Sequence, residues 1–96
     1  MIQRKRSRRD KNQIEIIKAI RALGVTVWET HALGQGSPDI VCGYDRKNFL
    51  FEIKDARGKM NRRELLWHAE WRGHVWVVRS WQDAAHEMGI PIVQEC

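Results

Sequence analysis

No stretch of this sequence approaches the ~20 consecutive apolar residues that a membrane span needs. The basic N-terminus has no apolar segment behind it and so does not read as a secretory signal. Cysteine is scarce too. There are two, Cys42 in an apolar segment and Cys96 at the last position, whereas a disulfide-stapled secreted domain usually carries four or more. The expectation is two reduced thiols, with Cys42 acting as a small buried apolar residue, in a protein of its host's cytoplasm. There is no internal repeat. With 43% hydrophobic and 30% charged residues, the composition suits a globular domain and excludes a disordered chain. Ninety-six residues suffice for one domain with one modest core.

What is present is positive charge. Seventeen Lys and Arg against twelve Asp and Glu leave a net +5, which favours a polyanionic partner because each phosphate contact releases counterions. Residues 1–9 hold five cationic side chains, Arg8 and Arg9 among them, and a single apolar Ile2. They read as a flexible basic arm that touches phosphates, leaving residues 10–96 as one folded domain.

Asp10 can cap a helix to about Leu23, ended by Gly24, with Ile16, Ile17, Ile20 and Leu23 at helical spacing. Val25–Thr30 has the β-branched and aromatic content of a strand. The stretch 32–38, with Gly34, Gly36 and Pro38, reads as a loop. Ile40–Tyr44 is a second strand, joined by a polar connection at 45–48 to a third, Phe49–Lys54. Asn61 and Glu64 have the spacing of a capping box that opens a helix to about Trp71. Val75–Arg79 reads as an apolar strand buried on both faces. Ser80 with Asp83 caps a last helix, closed by Gly89. The order predicts an α/β fold, a mixed central sheet flanked by helices, with the third and fourth strands parallel across a helical crossover.

The chemistry-bearing constellation is Ser37-Pro38-Asp39 at a loop-to-strand junction and Glu52-Ile53-Lys54 on the next strand. Strand alternation puts Leu50, Glu52 and Lys54 on one face and Phe49, Phe51 and Ile53 on the other. Two carboxylates on adjacent strands can converge on one point, and hard oxygen ligands suit Mg²⁺ or Mn²⁺. Such an ion polarises a phosphoryl oxygen and lowers the pKa of bound water, while Lys54 can orient that water or stabilise charge developing on phosphate. Separately, a Glu-x-Lys is commonly a solvated face and a Pro-Asp commonly a turn. A carboxylate between Phe51 and Ile53 is, however, an expensive placement without a partner.

Together these residues resemble the PD-(D/E)xK nuclease superfamily, and more narrowly the VRR-NUC group of small phage and repair nucleases, which is related to Holliday-junction resolvases. The resemblance runs from Asp10 to Met88. It implies a restriction-endonuclease-like core and a Mg²⁺-dependent endonuclease acting on DNA, with Mn²⁺ also supporting activity and no small-molecule cofactor. It further implies Asp39 and Glu52 as metal ligands with the carbonyl of Ile53 as a third, Lys54 as the catalytic lysine, and a residue of the first helix as an added ligand. For that last role Gln13 is preferred to Glu15. At ~100° per residue Gln13 falls within the apolar stripe, and Glu15 points about 200° away. The family often places a Gln where this chain has Glu64, which either supports the site or completes the cap with Asn61; the cap is the preferred reading. The resemblance also implies a preference for branched DNA such as a Holliday junction and a symmetric homodimer, which cutting both strands of a junction or duplex would require.

Arg57, Lys59, Arg62 and Arg63 form a second basic cluster beside this site. Basic residues are unusual at a helix start, which favours contact with DNA phosphates. Of five tryptophans, Trp76 reads as core, and Trp67 and Trp71 as packing on the sheet or a partner. His31, His68, His74 and His86 show no zinc-ligand spacing; His31 reads as a polar loop residue. Two rival readings remain, a DNA-binding module with a degenerate nuclease site and a non-enzymatic phage interaction protein.

Overall fold

Three helices and four strands follow one another as α1 (Arg8–Ala22), β1 (Thr26–Glu29), β2 (Ile40–Tyr44), β3 (Lys47–Ile53), α2 (Arg62–Glu70), β4 (Trp76–Val78) and α3 (Trp81–Met88), with a 3₁₀ turn at His31–Leu33. They are seen in a computed structural model that describes residues 8–93, with side chains from residue 11. The sheet order is β1-β2-β3-β4. The first three strands form an antiparallel meander and β4 runs parallel to β3. The fold is therefore α/β, a four-stranded mixed sheet flanked by helices. None of the described helices is long and apolar enough to cross a membrane.

Register explains the core. Ile40 opposes Phe51 and Cys42 opposes Phe49, while Phe51 and Ile53 pair with Trp76 and Val78. These side chains share one face of the sheet. On it pack Ile16, Ile17 and Ile20 of α1 and Ala84 and Met88 of α3. Each large apolar side chain buried there contributes about 1.5–3 kcal/mol. Phe49, Phe51 and Trp76 form an aromatic cluster with centroids 5.7–6.2 Å apart. Cys42 is fully buried, as expected, and burial pushes its thiol up to about 12, against a smaller opposing effect of Arg21.

Several expectations need correcting. α1 already includes Arg8 and Arg9, so Asp10 lies within the helix instead of capping it. Arg8 and Arg9 are thus helical in backbone; the rest of the expected arm, residues 1–7, lies outside the described residues, as do the side chains of Arg8 and Arg9 and all of Cys96. The β2–β3 connection is two residues long, not four. Asp45 and Arg46 both take positive φ (54° and 64°), and Tyr44 and Lys47 already pair. A turn with two left-handed residues matches strand twist, so β3 begins at Lys47. β4 is not buried on both faces. It is an edge strand in which Val78 is buried and Trp76 and Val77 are half-buried. Trp76 packs on the core from that edge, with His74 stacked on it at 5.2 Å.

The face opposite the core carries Glu52 and Lys54, and α2 covers that part of it. α2 is fixed at its start by a complete capping box: Glu64 N–H donates to Asn61 Oδ1 and Asn61 N–H donates to Glu64 Oε1, both at 2.9 Å.

Candidate active site

The Pro38-Asp39 segment is held between the end of β1 and the middle of β3. Thr30 N–H donates to the Asp39 carbonyl at 2.7 Å, and the Thr30 hydroxyl to the Pro38 carbonyl at 2.9 Å. Asp39 N–H donates to the Phe51 carbonyl at 3.0 Å. The side chain reaches across the ladder as well: Asp39 Oδ2 accepts from Ile53 N–H at 2.7 Å. A short hydrogen bond to a carboxylate is among the strong ones, and it fixes Asp39 beside Glu52.

Glu52 is 0% exposed, and neither of its carboxylate oxygens has a hydrogen-bond partner among the described residues. Burial pushes its carboxyl up, the neighbouring charges of Asp39 and Glu64 push it further, and Lys54 only partly offsets them, so that it reaches about 9. A buried carboxyl without a well-formed hydrogen bond at either oxygen is costly even with the Lys54 ammonium 3.6 Å away and the Glu64 carboxyl beside it. The placement calls for something to bind it.

β3 ends at Ile53, so Lys54 follows the strand instead of closing it; it is 6% exposed and makes its closest ion pair with α2. Its Nζ lies 2.8 Å from Glu64 Oε1 and 3.6 Å from Glu52 Oε2. Glu64 Oε1 is also the atom that accepts from Asn61 N–H. One oxygen of Glu64 therefore both completes the cap and pairs with Lys54. Burial alone would raise the Glu64 carboxyl, but the hydrogen bonds from Lys54 and the Asn61 N–H hold it below the ordinary value.

His68 was missed from the sequence. Its Nε2 lies 3.9 Å from Glu52 Oε1, buried and without a hydrogen-bond partner among the described residues. Burial lowers its pKa, the Glu64 charge opposing and Lys54 reinforcing the shift. A signal was available: His68 stands four residues after Glu64, on the same helix face.

Gln13 is buried and Glu15 exposed, as the helical phase predicts. The partner described for Gln13 is His31, with Nε2 and Nδ1 3.5 Å apart, and Gln13 Oε1 has no partner among the described residues. Among the described residues no hydrogen bond joins Gln13 to Asp39, Glu52 or Lys54. His31 is exposed and touches Gln13.

Arg57, Lys59, Arg62 and Arg63 are all exposed along the segment from β3 into α2. Arg79 pins the start of that segment, its Nη1 donating to the carbonyls of Asp55 (2.6 Å) and Gly58 (2.7 Å). Gly36 packs against the first turn of α2. A Cβ there would lie 2.4 Å from the Arg63 carbonyl oxygen, at a φ of +82°, so only glycine fits. The glycine loop, the basic cluster and the buried carboxylates thus share one end of the molecule. Trp67 and Trp71 stack on each other at 4.8 Å, Trp67 half-buried and Trp71 44% exposed.

Among the described residues no three His, Cys, Asp or Glu side chains form a ready ligand set. The set expected from the sequence needs only two, Asp39 and Glu52, with the carbonyl of Ile53. The empty oxygens of Glu52 fit a hard divalent cation, whose charge would compensate their burial. Compared with models of protein families, with curated proteins and with solved structures, the chain matches none.

Proposed function

We propose that this chain is a divalent-metal-dependent endonuclease that hydrolyses phosphodiester bonds in DNA. The observation that carries the reading is Glu52, a fully buried carboxyl with both oxygens unpartnered, set beside Asp39 and 3.6 Å from the Lys54 ammonium. The resemblance to VRR-NUC nucleases and a restriction-endonuclease-like core support it, as does the mixed sheet, which brings Asp39, just before β2, beside Glu52 on β3.

Asp39, Glu52 and the Ile53 carbonyl would hold Mg²⁺ or Mn²⁺, which supplies Lewis-acid charge and an acidified water. The chain's own residues do the rest. Lys54 donates to the water or to the phosphate oxygen on which charge develops. Glu64 holds the Lys54 Nζ in place, and the capping box holds Glu64. Hydrolysis forms a bond from water oxygen to phosphorus and breaks the bond to the 3′ oxygen. Arg57, Lys59, Arg62 and Arg63, with Arg8 and Arg9, would bind phosphates on either side. From α1, Gln13 would add a metal or water ligand.

A substrate with two strands to cut, branched DNA included, calls for a homodimer. Leu65 and Leu66 of α2 and Trp71 just after it are exposed and supply apolar surface for self-association. A second reading, a DNA-binding module without turnover, is favoured by one observation: the buried polar residue that α1 offers is an amide, Gln13, and not a carboxylate.

The test is cleavage of labelled four-way-junction and linear duplex DNA with Mg²⁺, Mn²⁺ or EDTA, comparing wild type with Lys54→Ala. Metal-dependent cutting that the substitution lowers by about 10²–10³-fold supports the enzyme. Salt-sensitive binding with no cutting of any DNA supports the binding module.

A further inference from the structure

We propose that Arg63, Trp67 and Trp71 form a platform along α2 for unpaired bases, so that the site acts on DNA with single-stranded nucleotides beside the cut. The inference rests on the nuclease reading above and narrows its substrate.

Three observations converge on it. The first is a row of side chains. Arg63, Trp67 and Trp71 follow one another at intervals of four, the last at the helix C-cap, and so lie along one flank of α2. Arg63 and Trp71 are exposed and Trp67 is half-buried. At 1.5 Å per residue the row spans about 12 Å, the reach of a few nucleotides.

The second is the arrangement of the two indoles. They are stacked at 4.8 Å, 17° from parallel, with Trp71 44% exposed. Gly73 runs past the Trp71 nitrogen so closely that a Cβ there would come within 2.9 Å of Nε1, and glycine leaves the ring where it is. The pair is set before a ligand arrives, which limits the ordering cost of binding. An exposed indole accepts any base, because every base has a π-face. In an intact duplex those faces are stacked on neighbouring pairs, so only unpaired nucleotides can use the platform.

The third is its place and its charge. The row begins at the glycine loop that leads to Asp39, where Gly36 abuts the Arg63 carbonyl. It then passes the buried carboxylate: the Trp67 ring meets His68 edge-on at 6.1 Å, and His68 Nε2 lies 3.9 Å from Glu52 Oε1. Arg62 and Arg63 at one end and Arg72 directly after Trp71 are exposed, against one acid, Glu70, and suit the phosphates of a strand whose bases lie on the indoles. Leu65 and Leu66 lie about 100° or more round the helix from Trp67, so a second copy docked on them leaves the row open.

The experiment is fluorescence anisotropy of labelled oligonucleotides titrated with the full chain at low salt, in EDTA and in Ca²⁺. Three probes are compared: a single strand, the same strand with abasic sites, and its duplex. Wild type, Trp71→Ala and Trp71→Phe are used, with circular dichroism to verify folding and sedimentation to follow oligomeric state. Wild type should bind the abasic strand at least about tenfold more weakly than the base-bearing one, a comparison that needs no variant. Trp71→Ala should lose a similar factor on the single strand, Trp71→Phe should recover most of it, and duplex affinity should change little in either. Equal binding of abasic and base-bearing strands, or an equal loss on single strand and duplex in Trp71→Ala, overturns the platform and leaves the nuclease reading standing. So does a Trp71→Ala chain that dissociates from dimer to monomer with its single-strand affinity intact. Wild type that binds no DNA in either buffer overturns the nuclease reading itself, and the proposal with it.

Discussion

Phe51 and Glu52 are neighbours on β3, and both are 0% exposed, yet they are buried by different means. Phe51 points to the face where α1 and α3 supply Ile16, Ile17, Ile20 and Ala84, so that its surroundings are apolar on every side. Glu52 points to the face where α2 supplies Glu64 and His68, and its surroundings are charged or polar. On the first face burial is itself the stabilising interaction. On the second it is a cost, offset in part by Lys54 and left open at two carboxylate oxygens. One strand therefore serves as a structural anchor on one side and as a strained chemical surface on the other. Substitutions on the two sides should fail differently.

The largest effect is expected on the apolar side. Phe51→Ala should destabilise the chain by about 3–5 kcal/mol, measured by urea unfolding, a large share of the total stability of a small domain. A loss below about 1 kcal/mol would mean that the dry face is not what holds the sheet.

The second prediction concerns the polar side and runs through pH. In the metal-free protein the Glu52 carboxyl is held up to about 9, against an ordinary 4.5. Below pH 4.5 the folded and unfolded chains both keep the proton. Between pH 4.5 and 9 the unfolded chain releases it and the folded chain does not, so stability declines as pH rises through that window. At 1.36 kcal/mol per unit the decline reaches about 3 kcal/mol by pH 7. Unfolding in EDTA at pH 5 and pH 8 should show it, and Glu52→Gln should remove most of the slope. An unchanged slope in that variant would place the titrating group elsewhere.

This contrast also accounts for what could be read from the sequence. Asp39, Glu52 and Lys54 were legible because their convergence depends on period-two alternation and hairpin pairing, both local properties. The capping box at Asn61 and Glu64 and the phase of α1 that buries Gln13 were legible for the same reason. The edge position of β4 was not, since an apolar run such as Val75–Val78 suits a central and an edge strand alike. His68 was hidden, and the choice between the two readings of Glu64 stayed open, because both depend on where α2 docks, which no local rule sets. The two-residue turn was masked by Arg46, an uncommon residue at positive φ.

Smaller effects sharpen the comparison at α2. Asn61→Ala removes the side-chain cap and should cost about 1 kcal/mol by thermal or urea unfolding. It leaves Asn61 N–H to hold Glu64, so the Lys54–Glu64 pair should persist and nuclease turnover should drop less than in Lys54→Ala. Turnover falling as far as in Lys54→Ala would show that the cap and the lysine act as one unit.

The smallest effect is expected at Glu15, two residues from Gln13 and exposed where Gln13 is buried. Removing an exposed side chain on the far side of α1 should change stability by no more than about 0.5 kcal/mol and leave divalent-ion affinity as it was. Gln13→Ala should cost more on the first measure, because it leaves His31 without its described partner and opens space at a buried position. The pair is informative because carboxylate chemistry favours Glu15 as a ligand while geometry favours Gln13. If calorimetry found ion affinity lowered by Glu15→Ala and untouched by Gln13→Ala, the helix would have to present its other side to the metal, and the assignment of its two faces would be reversed.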